Sequence, residues 1–493
     1  MACTTILVGR KATYDGSTMI ARNSDSGSGR FTSKRMTVVQ PAEQGSVYRS
    51  VLSHVEVPLP ADPMRCTSMP NALLDEGIWA GSGVNEANVG ITATETITTN
   101  ERVQAADPLV RLRPAANGMP EQPGGIGEED IVTLVLPYIR SAREGVRRLG
   151  ELHAKYGTYE MNAIAFQDVD EIWWFESIGG HHWIARRVPD DAYVVMPNQL
   201  GIDQFDLEDA LGEQREYMCS ADLREFIAQN HLDLSLDGKL NPRDAFGSHS
   251  DSDHVYNTPR AWFIERFLNP HACRWDGPDA DCRPDADDIP WCRVPERRIT
   301  AEDIKYVLSS YYQGTPYDPY ANSGDRSMRG KYRPIGINRN DFLALIQIRP
   351  YMPAAWRSIH WIAFGSNAFN AMVPLYAGVN QIPDYFSKTG RDVSTDSFYW
   401  SSRLIGALAD GDYGSCIALI ERYQMHVLSQ GRAVIRNADL RLASASPSDQ
   451  AAIMEQANQE IADMAAKETE DVLGKVLFQA SMHMRNAYSR SDS

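Results

Sequence analysis

Cys3 lies near the start of the chain, at the head of the β-branched run CTTILVG. If Met1 and Ala2 are removed, Cys3 becomes the first residue and carries both a thiol and a free α-amine. An α-amine titrates at about 7.7–8.0 in model peptides, so it is partly neutral near neutral pH and can accept a proton. One residue would then supply a nucleophile and its general base. The alternative is a small apolar cysteine that is buried in a strand and does no chemistry.

Arg22 and Asp25 follow a turn at Asp15-Gly16 in the segment YDGSTMIARNSD. The turn predicts a hairpin that returns the chain beside its own start, so we expect both side chains next to the Cys3 thiol. A guanidinium lowers the pKa of a neighbouring thiol, and a carboxylate can orient the amine. The alternative is a solvated ion pair in a turn.

A charged segment, 271–298, also holds residue types that bind metals: His271, Cys273, Cys282 and Cys292. Structural zinc sites usually pair their cysteines as C-x₂₋₄-C, whereas these lie nine and ten positions apart. A structural zinc site remains the alternative, but the spacing and the many aspartates favour a solvated acidic insertion.

Two further motifs leave the choice between binding and packing open. His181 and His182 could be ligands, but residues that flank a tight turn between strands are the simpler interpretation. The tyrosines of YYQGTPYDPY (311–320) could line a substrate cleft or pack a loop.

Composition excludes several classes of function. The chain has 493 residues, 43% of them hydrophobic, and a net charge of −17 from 48 basic and 65 acidic residues. Such an acidic chain is not expected to bind nucleic acid or anionic membrane. Its seven cysteines are odd in number and scattered, unlike the disulfide framework of a small secreted protein. No secretory signal pattern is visible at the N-terminus, so we expect a cytoplasmic protein with reduced thiols.

The elements that must position these residues follow an α+β order. Strands and turns dominate the first hundred residues, and a Pro- and Gly-rich loop follows at 114–127. Hydrophobic periodicity predicts the later elements. We expect a helix at 128–157 that Pro137 kinks or splits, three strands in 161–199, helices at 207–231 and 258–270, strands in 339–379, helices from about 394, and a long helix with a break at 450–488.

Several longer motifs resemble one family. They are CTTILV, YDGSTMIARNSD, GVNEANVGITATET, GHHWIARRVPDDAY (180–193), YNTPRAW (256–262), GTPYDPY (314–320) and VPLYAGV (373–379). In combination they resemble the cysteine-nucleophile dipeptidases of the dipeptidase A type, which are N-terminal nucleophile (Ntn) hydrolases related to penicillin V acylases and bile salt hydrolases.

The resemblance implies a fold and a division of the chain. It implies a four-layer αββα sandwich with a helical C-terminal extension. The catalytic domain would span 1–400, with loop insertions near 101–127 and 271–334. A helical region, 401–493, would pack on it.

The resemblance also implies roles for individual residues. Cys3 matches the family nucleophile, and Arg22 and Asp25 match its R-N-x-D segment. Asn198 corresponds to the oxyanion-hole asparagine and Arg260 to a late active-site arginine.

A further oxyanion position falls near Thr94 and Glu95, where we expect a backbone N–H to act. The related acylases carry Asn where Glu95 aligns. We therefore hypothesise that the Glu95 carboxylate holds a substrate α-ammonium.

The implied activity is hydrolysis of dipeptides through a thioester on Cys3, without metal or cofactor. Small peptides would be the substrates, and the family likeness suggests a homo-oligomer. One alternative is an N-acyl amide hydrolase of the penicillin V acylase or bile salt hydrolase type. Another is a non-catalytic scaffold that keeps the fold. The preferred dipeptide, and whether removal of Ala2 is autocatalytic, stay open.

Overall fold

The computed structural model describes residues 3–484, apart from the side chain of Thr94. The strands in this range are β1 (Thr4–Val8), β2 (Thr18–Asp25), β3 (Thr37–Val39), β4 (Val47–Arg49), β5 (Glu56–Pro58), β6 (Cys66–Ser68), β7 (Ser82–Val84), β8 (Gly90–Thr96), β9 (Asn162–Gln167), β10 (Ile172–Ser177), β11 (Trp183–Arg187), β12 (Tyr193–Met196), β13 (Tyr217–Cys219), β14 (Cys292–Arg293), β15 (Asn340–Ile348), β16 (Ser358–Phe364) and β17 (Val373–Tyr376).

The α-helices in the same range are α1 (Glu101–Ala106), α2 (Ile131–Val135), α3 (Ala142–Tyr156), α4 (Leu207–Leu211), α5 (Leu223–Gln229), α6 (Pro242–Phe246), α7 (Asp253–Tyr256), α8 (Thr258–Leu268), α9 (Ala301–Leu308), α10 (Asp384–Ser387), α11 (Phe398–Asp410), α12 (Tyr413–Leu442) and α13 (Pro447–Met482). Short 3₁₀ turns lie at 41–43, 74–76, 136–138 and 326–328.

Two large antiparallel sheets form the centre of the molecule. The first has seven strands in the order β14-β12-β1-β2-β15-β16-β17, and the second has six in the order β13-β11-β10-β9-β8-β7. Strand β2 contacts β8 and β9, so the two sheets face each other. Helix α3 packs on the second sheet, and α11, α12 and α13 pack on β16 and β17 of the first.

Side-chain alternation along β1 explains how both faces of the first sheet are filled. Ile6 and Val8 pack with residues of the helices, whereas Leu7 packs between the two sheets. Successive strand residues point to opposite faces, so Cys3 and Thr5 share the inter-sheet side with Leu7. The residues at the head of β1 therefore lie between two layers of the protein.

The structure confirms much of the predicted element order and the mixed α and β class. The helix expected at 128–157 is split at Pro137 into α2 and α3, because proline lacks the N–H that an uninterrupted helix needs. The helical region expected after about 394 begins at Phe398.

Three predictions about individual elements are wrong. The helix expected at 207–231 is interrupted by β13, which pairs with β11. The strands within 161–199 number four rather than three, because β12 crosses to the first sheet and pairs with β1. The break expected in the last helix is absent as far as Met482, and residues 485–488 lie outside the described range.

The segment 271–298 holds a disulfide that the spacing did not predict. Cys273 and Cys282 are bonded, with their Cα atoms 6.5 Å apart, while Cys292 is an unpaired thiol in β14. The prediction of reduced thiols is therefore wrong for this pair. The loop between them brings the two sulfurs together, and sequence spacing alone does not reveal such closure.

Within residues 3–484, none of the helices combines the length and the apolar character that a membrane span requires.

Candidate active site

Cys3 is held at the open end of the β1–β2 hairpin. The register pairs Thr4 with Asn23 and Thr5 with Arg22, which brings the Arg22 side chain alongside the start of β1. Cys3 is fully buried. The turn at Asp15-Gly16 lies within the connection between the two strands, and Gly16 adopts the φ of +83° that glycine tolerates best.

Arg22 links the Cys3 thiol to an acidic side chain. Its Nη2 donates to Cys3 Sγ at 2.9 Å and to Glu128 Oε1 at 2.7 Å, and its Nη1 donates to the carbonyl of Gly81 at 3.3 Å. The residues joined in this way, Cys3, Arg22, Gly81 and Glu128, come from different parts of the chain. The guanidinium is fully buried, so its position is fixed by these partners.

The thiol is neutral in this environment. Burial raises the pKa of Cys3 to about 12, although the Arg22 charge acts in the opposite direction. Desolvation therefore outweighs the guanidinium that was expected to lower the thiol pKa. Formation of a thiolate here requires a nearby base that removes the proton.

Asp25 lies at the end of β2 and is fully buried. It accepts hydrogen bonds from Asn340 Nδ2 at 2.9 Å and from Arg333 Nη2. The Arg333 guanidinium also stacks on the Tyr256 ring, 5.2 Å from its centroid. The Asp25 charge is close enough to raise the pKa of the Cys3 thiol.

Arg260, from α8, ties the backbone of Cys3 to Asn198. Its Nη1 donates to the Cys3 carbonyl and to Thr4 Oγ1, the latter at 2.8 Å. Its Nη2 donates to Asn198 Oδ1 at 2.8 Å and to Asn257 Oδ1 at 2.6 Å. Arg260 is fully buried, and burial lowers its pKa to about 10.

Asn198 follows β12 and projects towards β8 of the second sheet. Its Nδ2 donates to the carbonyl of Thr96 at 3.0 Å and to Glu95 Oε2 at 3.3 Å. The Arg260 bond to Oδ1 fixes the orientation of the amide, so that the NH₂ group points away from Arg260. Such an oriented amide can donate to an oxyanion.

Glu95 is buried between the two sheets. Its Oε1 accepts a hydrogen bond from Thr5 Oγ1 at 2.6 Å. Burial raises the pKa of Glu95 to about 8, so the carboxyl is largely protonated near neutral pH. The β8–β9 register shifts between Ala93 and Glu95, which leaves residue 94 outside the regular ladder. The side chain of Thr94 lies outside the described part of the structure.

The structure thus brings Cys3, Arg22, Asn198 and Glu95 into one connected cluster through Arg260 and Thr5. Asp25 lies beside this cluster with Arg333.

Sequence reasoning missed Glu128, which it placed only at the start of the helix expected at 128–157. It lies in the run EED (128–130) ahead of α2. Its two neighbours have structural roles, because Glu129 accepts the backbone N–H groups of Val51 and Leu52 and Asp130 accepts the Tyr48 hydroxyl. The run of three successive carboxyl groups was the signal available in the sequence, and only the structure shows that all three are buried.

Two openings meet near this cluster. A cavity of about 700 Å³ is lined by Asn198 and Asn257, among others, and a second of about 520 Å³ is lined by basic side chains that include Arg333 and Arg339. Tyr256 lines both cavities. Because Asn198 belongs both to the cluster and to the lining of the larger cavity, that cavity is the candidate substrate site.

The other sequence candidates have structural contacts. His181 Nδ1 and His182 Nδ1 lie 3.0 and 2.7 Å from the Asp107 carboxylate, at the turn before β11. Tyr320 stacks on Tyr413 of α12 at 4.0 Å, so this loop packs on the C-terminal helices. Among the described residues, no group of three or more His, Cys, Asp or Glu could hold a metal ion.

Comparison with known proteins gives consistent matches. A family model described as peptidase family C69 matches residues 2–426. A dipeptidase of Bifidobacterium longum is 54% identical over 532 aligned residues, which cover 100% of both chains. A probable dipeptidase A of Streptococcus pyogenes serotype M3 is 52% identical, again over 100% of both chains. A probable dipeptidase B of Lactococcus lactis is 42% identical over 100% of this chain and 98% of that protein.

Proposed function

The chain belongs to peptidase family C69, and on that premise we propose that it hydrolyses dipeptides through a thioester on Cys3. The observation that carries this proposal is the contact of 2.9 Å between the buried Arg22 guanidinium and Cys3 Sγ. A guanidinium in contact with sulfur stabilises the thiolate when one forms, so its placement against Cys3 favours a reactive sulfur over a packing one.

The proposed mature enzyme begins at Cys3, after removal of Met1 and Ala2, which lie outside the described residues. A pKa of about 12 supports this maturation, because a thiol this weakly acidic needs an adjacent base. The liberated α-amine of the same residue is that base. Whether the removal is autocatalytic is left open.

In the first half of the reaction, the Cys3 proton moves to the α-amine and Sγ attacks the scissile carbonyl carbon. The developing oxyanion accepts hydrogen bonds from Asn198 Nδ2 and from a backbone N–H of the irregular strand segment at residues 94–95. The C–N bond then breaks, and the α-ammonium returns its proton to the leaving amine. A thioester remains on Cys3.

In the second half, water attacks the thioester carbon and gives its proton to the α-amine. The C–S bond breaks, the thiolate recovers the proton, and a free amino acid leaves. Arg22 faces the sulfur throughout. Arg260 keeps Asn198 and the Cys3 carbonyl in place, and Asp25 is the carboxylate proposed to orient the amine.

The test combines intact-mass analysis with a dipeptide panel. The purified protein should start at Cys3 and cleave dipeptides, whereas Cys3→Ser should lose at least about 10³-fold in kcat while retaining its thermal unfolding temperature. Cys292→Ser is the matched control, because it makes the same change at an unpaired cysteine and should remain active. Full activity with Met1 and Ala2 still attached would contradict the mechanism.

The same panel separates the alternatives. Hydrolysis of N-acyl amides in place of dipeptides would indicate an acylase, and a stable protein that cleaves neither class would indicate a scaffold.

We further propose that the two facing sheets and their outer helices form the αββα sandwich of Ntn hydrolases, with residues 401–493 as an extension packed on a catalytic domain of 1–400. The contacts of α11, α12 and α13 with β16 and β17 support a C-terminal region packed on the sheets, and α11 spans the proposed boundary at residue 400. A cytoplasmic location and a homo-oligomeric state stay predictions. Light scattering on the purified protein tests the oligomeric state.

A further inference from the structure

Glu128, which contacts Arg22, has a second acidic residue, Glu160, as its neighbour. Arg22 Nη2 donates to Glu128 Oε1 at 2.7 Å, and the backbone N–H of Glu128 donates to Glu160 Oε1 at 2.8 Å. Glu128 is 3% exposed. Buried carboxyl groups are stabilised by cations, and with two acidic groups to one guanidinium this place in the structure suits a further positively charged group.

The distance from the Glu128 carboxylate to Cys3 Sγ, the proposed nucleophile, is comparable with the length of a dipeptide's N-terminal residue. Arg22 Nη2 lies 2.9 Å from Cys3 Sγ and 2.7 Å from Glu128 Oε1, so the sulfur and the carboxylate oxygen are less than about 5.6 Å apart. Before attack, a scissile carbon lies about 3–3.5 Å from its nucleophile. In a dipeptide the free amine is only two bonds from that carbon, about 2.5 Å away.

A dipeptide that is seated for attack on Cys3 with its N-terminus towards Arg22 can therefore bring its ammonium within hydrogen-bond reach of this carboxylate. We propose that Glu128 binds the α-ammonium of the substrate and so makes the enzyme specific for peptides with a free N-terminus. This inference rests on the proposed function, because it takes Cys3 as the attacking residue.

The ionisation of the two candidate carboxyl groups favours Glu128 over Glu95. Burial acts to raise the pKa of Glu128, but nearby positive charge, that of Arg22 included, brings it below its usual value. The ion pair with Arg22 therefore favours the charged form of Glu128. By contrast, burial raises the pKa of Glu95 to about 8, which makes it a neutral hydrogen-bonding group beside Thr5 and Asn198.

Glu160 adds to the selectivity. Burial and the Glu128 charge raise its pKa. An ammonium that binds Glu128 would offset this repulsion between the two acidic groups. An N-acylated peptide brings no positive charge and leaves the pair without that compensation, so the site should reject it.

The test compares the best dipeptide of the panel with its des-amino analogue, in which hydrogen replaces the α-amine. Glu128→Gln should lower kcat/KM for the dipeptide by about 10²-fold, mainly through KM. The Ki of the analogue as a competitive inhibitor should change less than threefold, because it has no ammonium to lose. Glu95→Gln, the same substitution at the other buried carboxyl group, should affect dipeptide and analogue by similar factors.

Equal weakening of dipeptide and analogue by Glu128→Gln would overturn the proposal and assign Glu128 to the positioning of Arg22 or of the Cys3 amine. If Glu128→Gln does not fold, binding measurements on the unmodified enzyme still test the proposal. This enzyme should bind the analogue at least tenfold more weakly than the dipeptide, and equal affinities would overturn the inference.

Calorimetric binding of the dipeptide and the analogue to Cys3→Ser separates this inference from the proposed function. A preference for the free amine that persists there supports the Glu128 site even if turnover does not depend on Cys3. Absence of that preference would overturn the Glu128 site even if Cys3 is the nucleophile.

Discussion

The Cys3 thiol lies 2.9 Å from a guanidinium, yet burial keeps its pKa at about 12. Two opposing effects act on one atom, and desolvation is the larger. In the proposed mechanism, the thiol therefore stays protonated until a base and a substrate are present together. Such a thiol is protected from oxidation, because oxidation proceeds through the thiolate.

The first prediction concerns the side-chain amide of Asn198. Asn198→Ala removes the amide proposed to donate to the oxyanion, so kcat should fall by about 10²–10³-fold with little change in KM. Asn198→Asp keeps the size and the oxygen that accepts from Arg260 but lacks the NH₂ donor, and it should lose as much. Steady-state kinetics on a dipeptide measures both.

Asn230→Ala, at an exposed position after α5, is the matched control and should keep its kcat. An Asn198→Asp variant with unimpaired kcat would exclude the proposed donor role.

Among the secondary-structure elements, helix α12 shows how closely the C-terminal helices approach the first sheet. Gly431 lies within this helix of 30 residues, and a Cβ placed there would be 2.7 Å from Pro374 Cδ in β17. Glycine in a helix interior costs about 1 kcal/mol relative to alanine. Here the close approach of β17 explains why glycine is retained.

Two glycine substitutions test this packing. Gly431→Ala should lower the free energy of unfolding by about 1–3 kcal/mol, because the added methyl group forces the helix away from the sheet. Gly474→Ala in α13 has no atom within 4 Å of the new Cβ. It should raise the free energy of unfolding by up to about 1 kcal/mol. Denaturant unfolding measures the free energy of unfolding of both variants. A stabilised Gly431→Ala variant would disprove the close contact between α12 and β17.

The stability of the whole molecule depends on pH through buried groups whose pKa values change when the chain unfolds. His360, in β16, is fully buried, and its ring nitrogens lie 3.4 Å from Thr67 Oγ1 and 3.3 Å from Ser82 Oγ. Burial lowers its pKa to about 3 from the usual 6.5. The unfolded chain therefore binds this proton more tightly than the folded chain does.

This difference predicts the pH dependence of stability. The contribution of His360 is fully present above pH 6.5 and is lost as the pH falls from 6.5 towards about 3. His360→Gln, which cannot titrate, should therefore reduce the loss of unfolding free energy between pH 6.5 and pH 4.5. Denaturant unfolding at the two pH values measures the slope. His249→Gln, an exposed control, should leave the slope unchanged, and an unchanged slope in His360→Gln would contradict the prediction.

The sequence alone was sufficient for the features that depend on local structure. The two β-branched runs on either side of Asp15-Gly16 form the predicted hairpin, and Arg22 lies beside the start of β1, although the whole connection 9–17 rather than that turn alone sets the register. Pro137 splits a helix wherever the fold places it. The family motifs identified the class of protein for the same reason, since each is a short contiguous stretch.

Tertiary structure decided the contacts between distant parts of the chain. Glu128 reaches Arg22 across 106 positions, Arg333 reaches Asp25 across 308, and β12 leaves its neighbours in sequence to pair with β1. These contacts follow from how two sheets and their helices pack, and no local pattern encodes which distant carboxyl group will face a buried guanidinium. The raised pKa values of Cys3 and Glu95 were also decided by the tertiary structure. Burial raises them, and these groups are buried only when the two sheets and the helices have packed together.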